Sequence, residues 1–162
     1  MNILLSWYGM SDYRAMMRQS NSDGPILSAL SEYDFDELVL VCPSDGCSNE
    51  NSPATHKQFV IWFTQRLAEI HKNIRITAIT APLSDLNDFS GIKNAEKAAL
   101  QLAASNDMET AITVFISPGT TLMAFAWAVA LRGYSKCTVK LMISPRPESK
   151  PVYISVSDLQ GL

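Results

Sequence analysis

Three cysteines and two histidines are all that the 162 residues offer a soft metal ion. Cys42, Cys47 and Cys137 contain no CxxC pair, and His56 and His71 fall in no ligand spacing, so neither a metal site nor any other cofactor is expected. They read as reduced cytosolic thiols and ordinary helix histidines. Basic residues are also few: 13 Lys and Arg stand against 16 Asp and Glu, for a net charge of −3. That balance excludes a broad cationic face for duplex nucleic acid, while leaving room for a small phosphorylated ligand held by local donors. The start, MNILLSWYGMSD, lacks the basic stretch and apolar core of an export signal, so a cytoplasmic protein is expected. Neither GxGxxG nor GxxxxGK[ST] occurs, which removes the main support for dehydrogenase and NTPase readings. Charge is absent from Val114 to Leu131, nearly the length of a membrane span. Pro118-Gly119, flanked by Ser117, Thr120 and Thr121, interrupts that run where a spanning helix needs continuity, so no membrane association is expected.

What is present is a hydrophobic fraction of 47%, enough for one domain over residues 1–162 with a real core. The chain alternates strand and helix signals. Asn2 to Tyr8 is a short apolar run ending at Gly9, and Met10 to Gly24 is polar and irregular, with room for a short helical turn. Pro25 opens a helix to Glu32, and Glu37 to Cys42 is a second strand. Ser52-Pro53 is an N-cap followed by proline at the first helical position, and Phe59, Val60, Phe63, Leu67 and Ile70 recur at helical spacing to about His71. Asn73 to Thr80 is a third strand. Asp88 or Ser90 caps a helix striped by Ile92, Ala95, Ala99 and Leu102. Thr110 to Ile116 is the fourth strand, Thr120 to about Arg132 a helix stopped by Gly133, Thr138 to Ile143 the fifth strand and Val152 to Val156 a sixth.

The pattern predicts an α/β fold, a Rossmann-like three-layer sandwich with a mainly parallel sheet of five or six strands. With the common order 3-2-1-4-5, strands one and four are neighbours whose following segments leave to opposite faces, and ligands of such folds bind at that junction. Ser6-Trp7-Tyr8-Gly9 and Ser117-Pro118-Gly119-Thr120-Thr121 would meet there. Free amides of a helix start, a glycine that lets an anion approach and the hydroxyls of Thr120 and Thr121 suit a phosphate or carboxylate, with Trp7 and Tyr8 as stacking faces for a base. The same turn equally reads as a plain capped connection. Arg14 and Arg18 are further phosphate candidates or merely solvated, and Arg146 to Lys150 either borders the pocket or is a solvated loop. The fifth helix, Leu122 to Leu131, is apolar all round, so a second copy of the chain is expected to cover its outer side as a homodimer, with covering by the same chain as the alternative.

NILLSWYG at the first strand, DFSGI before the third helix and FISPGTTLMAFAW at the fourth strand resemble the CARF (CRISPR-associated Rossmann fold) superfamily. The resemblance is greatest to the N-terminal sensor domains of RtcR-type, enhancer-binding transcriptional activators. It extends over most of the chain and is sharpest at the first and fourth strand ends. It implies a homodimeric, nucleotide-binding sensor in defence or transcription regulation, with a cyclic oligoadenylate or another RNA-derived phosphodiester in a shared pocket and an output module such as a fused AAA+ ATPase. The ligand residues it implies are Ser6, Trp7, Tyr8, Gly9, Ser117, Gly119, Thr120 and Thr121, with no catalytic residue among them. No ATPase or helix-turn-helix precedes Leu162, which fits an isolated sensor domain or a standalone protein. Two alternatives stay open. One is a ring nuclease that cleaves the cyclic ligand, with Ser6, Thr120 or Thr121 orienting a 2′-hydroxyl, although no His or Lys stands beside them as acid or base. The other is a pure dimerisation module.

Overall fold

The computed structural model describes residues 1–105, 109–132, 134–146 and 149–155. In chain order the elements are β1 (Asn2–Trp7), α1 (Met10–Met16), α2 (Pro25–Glu32), β2 (Glu37–Ser44), α3 (Pro53–Glu69), β3 (Arg75–Pro82), α4 (Phe89–Ala104), β4 (Ala111–Phe115), α5 (Thr121–Leu131), β5 (Thr138–Ile143) and β6 (Val152–Ile154). The sheet order is β3-β2-β1-β4-β5-β6, parallel except for β6 against β5. The Rossmann-like sandwich expected from the alternation is observed, and the sheet has the common order assumed for such a fold, with β6 added at the β5 edge.

The two faces of β1 explain the layering. Ile3, Leu5 and Trp7 point into a core closed by α4 and α5, whereas Leu4 and Tyr8 point into the core under α2 and α3. Each side of a strand carries every second residue, so one apolar run supplies both layers. β1 sits at the centre, between β2 and β4, and is covered on both faces.

Capping follows the sequence closely in two helices. The Thr55 amide donates to Ser52 Oγ at 3.2 Å at the start of α3, and the Gly91 amide donates to Asp88 Oδ1 at 2.9 Å at the start of α4. Met10 to Met16 differs from expectation: it is a helix of about two turns, fixed where the Gly9 amide donates to Asp12 Oδ2 at 3.2 Å. β2 runs on through Pro43 and Ser44 because both remain paired with β3. Gly133, expected to stop α5, and Val156, expected to end β6, lie outside the described residues. Among the described residues no helix is long and apolar enough to cross a membrane.

Candidate functional site

Beyond the carboxyl ends of β1 and β4, two glycines bring the two connections into direct contact. A Cβ on Gly9 would lie 2.7 Å from the Gly119 nitrogen, so the backbones approach as only a residue without a side chain permits. Gly119 has φ +95°, and a Cβ there would meet Met123 Sδ at 2.7 Å and Trp7 Cβ at 3.2 Å. The missing side chain of Gly119 therefore makes room for the core. Gly119 itself stays exposed at the turn.

The neighbouring residues of this turn divide their work. Thr120 caps α5: its Oγ1 accepts the Met123 amide at 3.2 Å while its own amide donates to Met123 Sδ at 3.3 Å. Thr121 is exposed as the first residue of α5. Ser117 is exposed and accepts the Ser144 amide on its Oγ at 2.6 Å, joining the ends of β4 and β5.

The β1 side departs further from expectation. Ser6 is fully buried, with its hydroxyl donating to the Trp7 carbonyl at 3.1 Å. Trp7 is fully buried and its indole N–H donates to Glu96 Oε1 at 2.9 Å. Tyr8 is 2% exposed, edge-on to His56 and Phe59 with ring centroids 4.9 Å away. Neither aromatic ring has a free face, so the stacking platform expected of Trp7 and Tyr8 does not exist. Both side chains are drawn inward because strands adjoining helices on both faces have no solvent side. Gly9 is buried beneath the turn.

The open space lies beside this crossing. A cleft of about 750 Å³ is lined by Ser11 and Arg14 of α1, by Ser20, Asn21, Ser22 and Pro25 of the following strap and α2, by Ser117 after β4, and by Ser144, Pro145 and Arg146 after β5. Among the described residues, two guanidinium groups, five serines and one asparagine line it, with no acidic and no aromatic residue. Such a lining supplies donors and positive charge for phosphate and hydroxyl groups. Ser144 adds a buried hydroxyl with no partner among the described residues. Ser117 is the one residue of the eight implied by resemblance that lines this cleft, and Arg14 and Arg146 are the basic candidates that do. Arg18 is turned to the opposite side of the strap, where a smaller hollow of about 300 Å³ also contains Trp62 and Arg66. The serines of the strap were visible in the sequence as a polar loop, but nothing local marked them as a wall.

Two buried carboxyls stand behind the site. Asp12 is 1% exposed, and burial pushes its carboxyl up to about 7 against the opposing pull of the Ile26 and Gly9 amides. Glu96 is fully buried and is pushed up to about 8 by burial, partly offset by the Trp7 N–H. Burial also pushes the His56 imidazole below its ordinary value and holds the Tyr8 phenol well above its own, the latter aided by Asp12.

No protein-family model matches the sequence, and no curated protein matches it. Among solved structures, the chain is similar to Enterococcus italicus Csm6 bound to cyclic hexa-2′-fluoro-hexa-dAMP, with 18% identity and a TM-score of 0.78. The similarity covers 99% of this chain and 43% of that one, so this chain spans less than half the length of that protein. The two share a fold, which is the fold expected from the resemblance read in the sequence.

Proposed function

We propose that this chain is a CARF-type sensor domain whose switch-point cleft takes a cyclic oligonucleotide, with phosphates held between Arg14 and Arg146. The carrying observation is the cleft lining: two arginines and a ring of hydroxyls, with no carboxylate among the described residues, set in a chain whose net charge is −3. The shared fold supports it, since Csm6 is a CARF-domain protein solved with a cyclic hexanucleotide analogue. Among RNA-derived ligands, that likeness favours a cyclic oligoadenylate over an RNA end. In this reading the serines and Asn21 address ribose hydroxyls and phosphate oxygens.

The functional unit of this reading is a homodimer. α5 leaves Phe125 58% exposed and Val129 41% exposed, an apolar outer side that a second copy covers. Pairing there brings two Ser117–Thr121 turns toward one axis, which suits a ligand with two-fold symmetry. Ligand uptake then changes the relation of the two subunits and signals to an output module in defence or transcription regulation.

Isothermal titration with cyclic tetra- and hexa-adenylate, and with an RNA ending in a cyclic phosphate as the comparison, tests the assignment. Binding of a cyclic oligoadenylate that Arg14→Ala and Arg146→Ala each weaken by about 10-fold to 100-fold, the usual range for a charged hydrogen bond, is the expected result. Heat from none of the three ligands, or binding indifferent to both substitutions, overturns it.

A further inference from the structure

Asp12 occupies an unusual place for a carboxylate. It is almost wholly buried in α1, beside the cleft-lining Ser11, and its two oxygens accept amides from two different segments: Gly9 on Oδ2 and Ile26 on Oδ1, both at 3.2 Å. Gly24, at φ +88°, packs so closely that a Cβ there would lie 2.9 Å from Oδ1. These contacts have consequences on both sides of the cleft. Ile26 and Gly24 fix the far end of the strap that carries Ser20, Asn21 and Ser22, while α1, which holds Asp12 itself, carries Ser11 and Arg14. Gly9 is the residue against which the Gly119 backbone rests, and Gly119 belongs to the turn that begins with Ser117.

Resting on the ligand-binding reading above, we infer that Asp12 is a positioning residue: its carboxylate holds the two walls of the cleft in register, and ligand affinity falls when it takes up a proton. The ionised group accepts both amides, whereas the neutral acid turns a hydroxyl toward one of them and loses that bond. The ionisable group nearest to it electrostatically is the Tyr8 phenol, and further groups stand around that phenol. Tyr8, which follows β1, is the group that interacts with Asp12, and the Tyr8 phenol is in turn surrounded by Tyr13 of α1, Cys42 of β2, Glu50 before α3 and His56 of α3, which lies against its ring. Tyr8 is held well above its ordinary value, the Cys42 thiol is pushed up to about 12 and His56 is pushed down, so these three stay neutral at and somewhat above neutral pH. Asp12 itself changes charge near neutrality.

The test needs no ligand in its first arm. Amide resonances of Gly9, Ile26 and Gly119 in the intact chain are followed against pH by heteronuclear NMR, in wild type and in Asp12→Asn. The expected result is one shared midpoint near neutrality for all three in wild type and none in Asp12→Asn. Absence of a shared titration, or its persistence in Asp12→Asn, overturns the inference whether or not a ligand binds. The second arm measures the affinity for cyclic hexa-adenylate. Wild-type affinity drops by about tenfold from mildly alkaline to mildly acidic buffer, as for one lost hydrogen bond, while Asp12→Asn stays at the weaker value throughout. A melting temperature for Asp12→Asn no lower than wild type separates positioning from structural damage, because asparagine removes a buried charge while binding weakens. Asp12→Asn binding with wild-type affinity and pH profile overturns the inference. If cyclic hexa-adenylate binds at no pH while the three amides titrate together, the coupling of the walls stands and the ligand assignment falls.

Discussion

Glu96 has one oxygen on the Trp7 indole and the other buried with no partner among the described residues. Ionising it means placing a charge in a core, so the folded chain keeps that proton up to about pH 8, well above the ordinary value of a glutamate. The folded state therefore binds the proton more tightly than the unfolded state, and the associated stability is full below the unfolded value and lost as pH rises toward 8. Thermal melts across that window should show a falling midpoint. Glu96→Gln keeps an acceptor for the Trp7 N–H and should flatten the upper part of the fall; an unchanged slope would rule out Glu96 as its source. Gly119→Ala tests a different local cost. It adds a positive-φ penalty and a Cβ against Met123 and Trp7, and should lower stability by about 2–4 kcal/mol in chemical denaturation. Gly46 has φ +71° with open space around it, so Gly46→Ala measures the backbone share alone and should cost about 1 kcal/mol. Equal losses at the two sites would mean that the contacts at Gly119 relax freely.

At the scale of elements, α5 is the informative case. Met123, Ala126, Trp127 and Leu131 face the core, so one side of the helix is accounted for within the chain. Phe125 and Val129 remain on the outside, where Phe89 offers a partial ring contact at 6.1 Å between centroids. Phe125→Glu with Val129→Glu should convert a dimer into a folded monomer in sedimentation velocity, since neither side chain supports the subunit's own core. A wild-type monomer at the concentrations used would remove the pairing argument. Other elements show what a linear sequence can and cannot convey. α3 was legible because Ser52-Pro53 marks its start and Phe59, Phe63 and Leu67 mark its inner stripe. α1 was not, because its cap is a glycine whose partner, Asp12, looks like an ordinary polar loop residue until its burial is seen. β3, with its alternating and half-exposed pattern, was placed within two residues at either end, as expected for an edge strand.

For the whole molecule, the layering followed from alternation and handedness, while the strand order was an assumed common arrangement that the sheet matches. The composition of the cleft did not follow in this way. Its arginines come from α1 and from the segment after β5, and its serines from α1, the strap and the segments after β4 and β5, which meet only once the sheet is complete. Trp7 and Tyr8 were attractive because they stand at a strand end, yet successive strand residues point to opposite faces, and both faces of β1 are covered. Burial of this kind depends on what packs above and below a strand, which lies elsewhere in the sequence. The contact between Gly9 and Gly119 also bears on how the chain folds. β1 emerges early in synthesis, but its neighbour β4 and the turn that closes on Gly9 come from the far half of the chain. Closure of so long a loop and parallel pairing across it are slow steps that local helix formation cannot replace. On that argument the cleft closes late in folding, and a ligand held there would stabilise the finished domain and slow its unfolding without hastening its assembly.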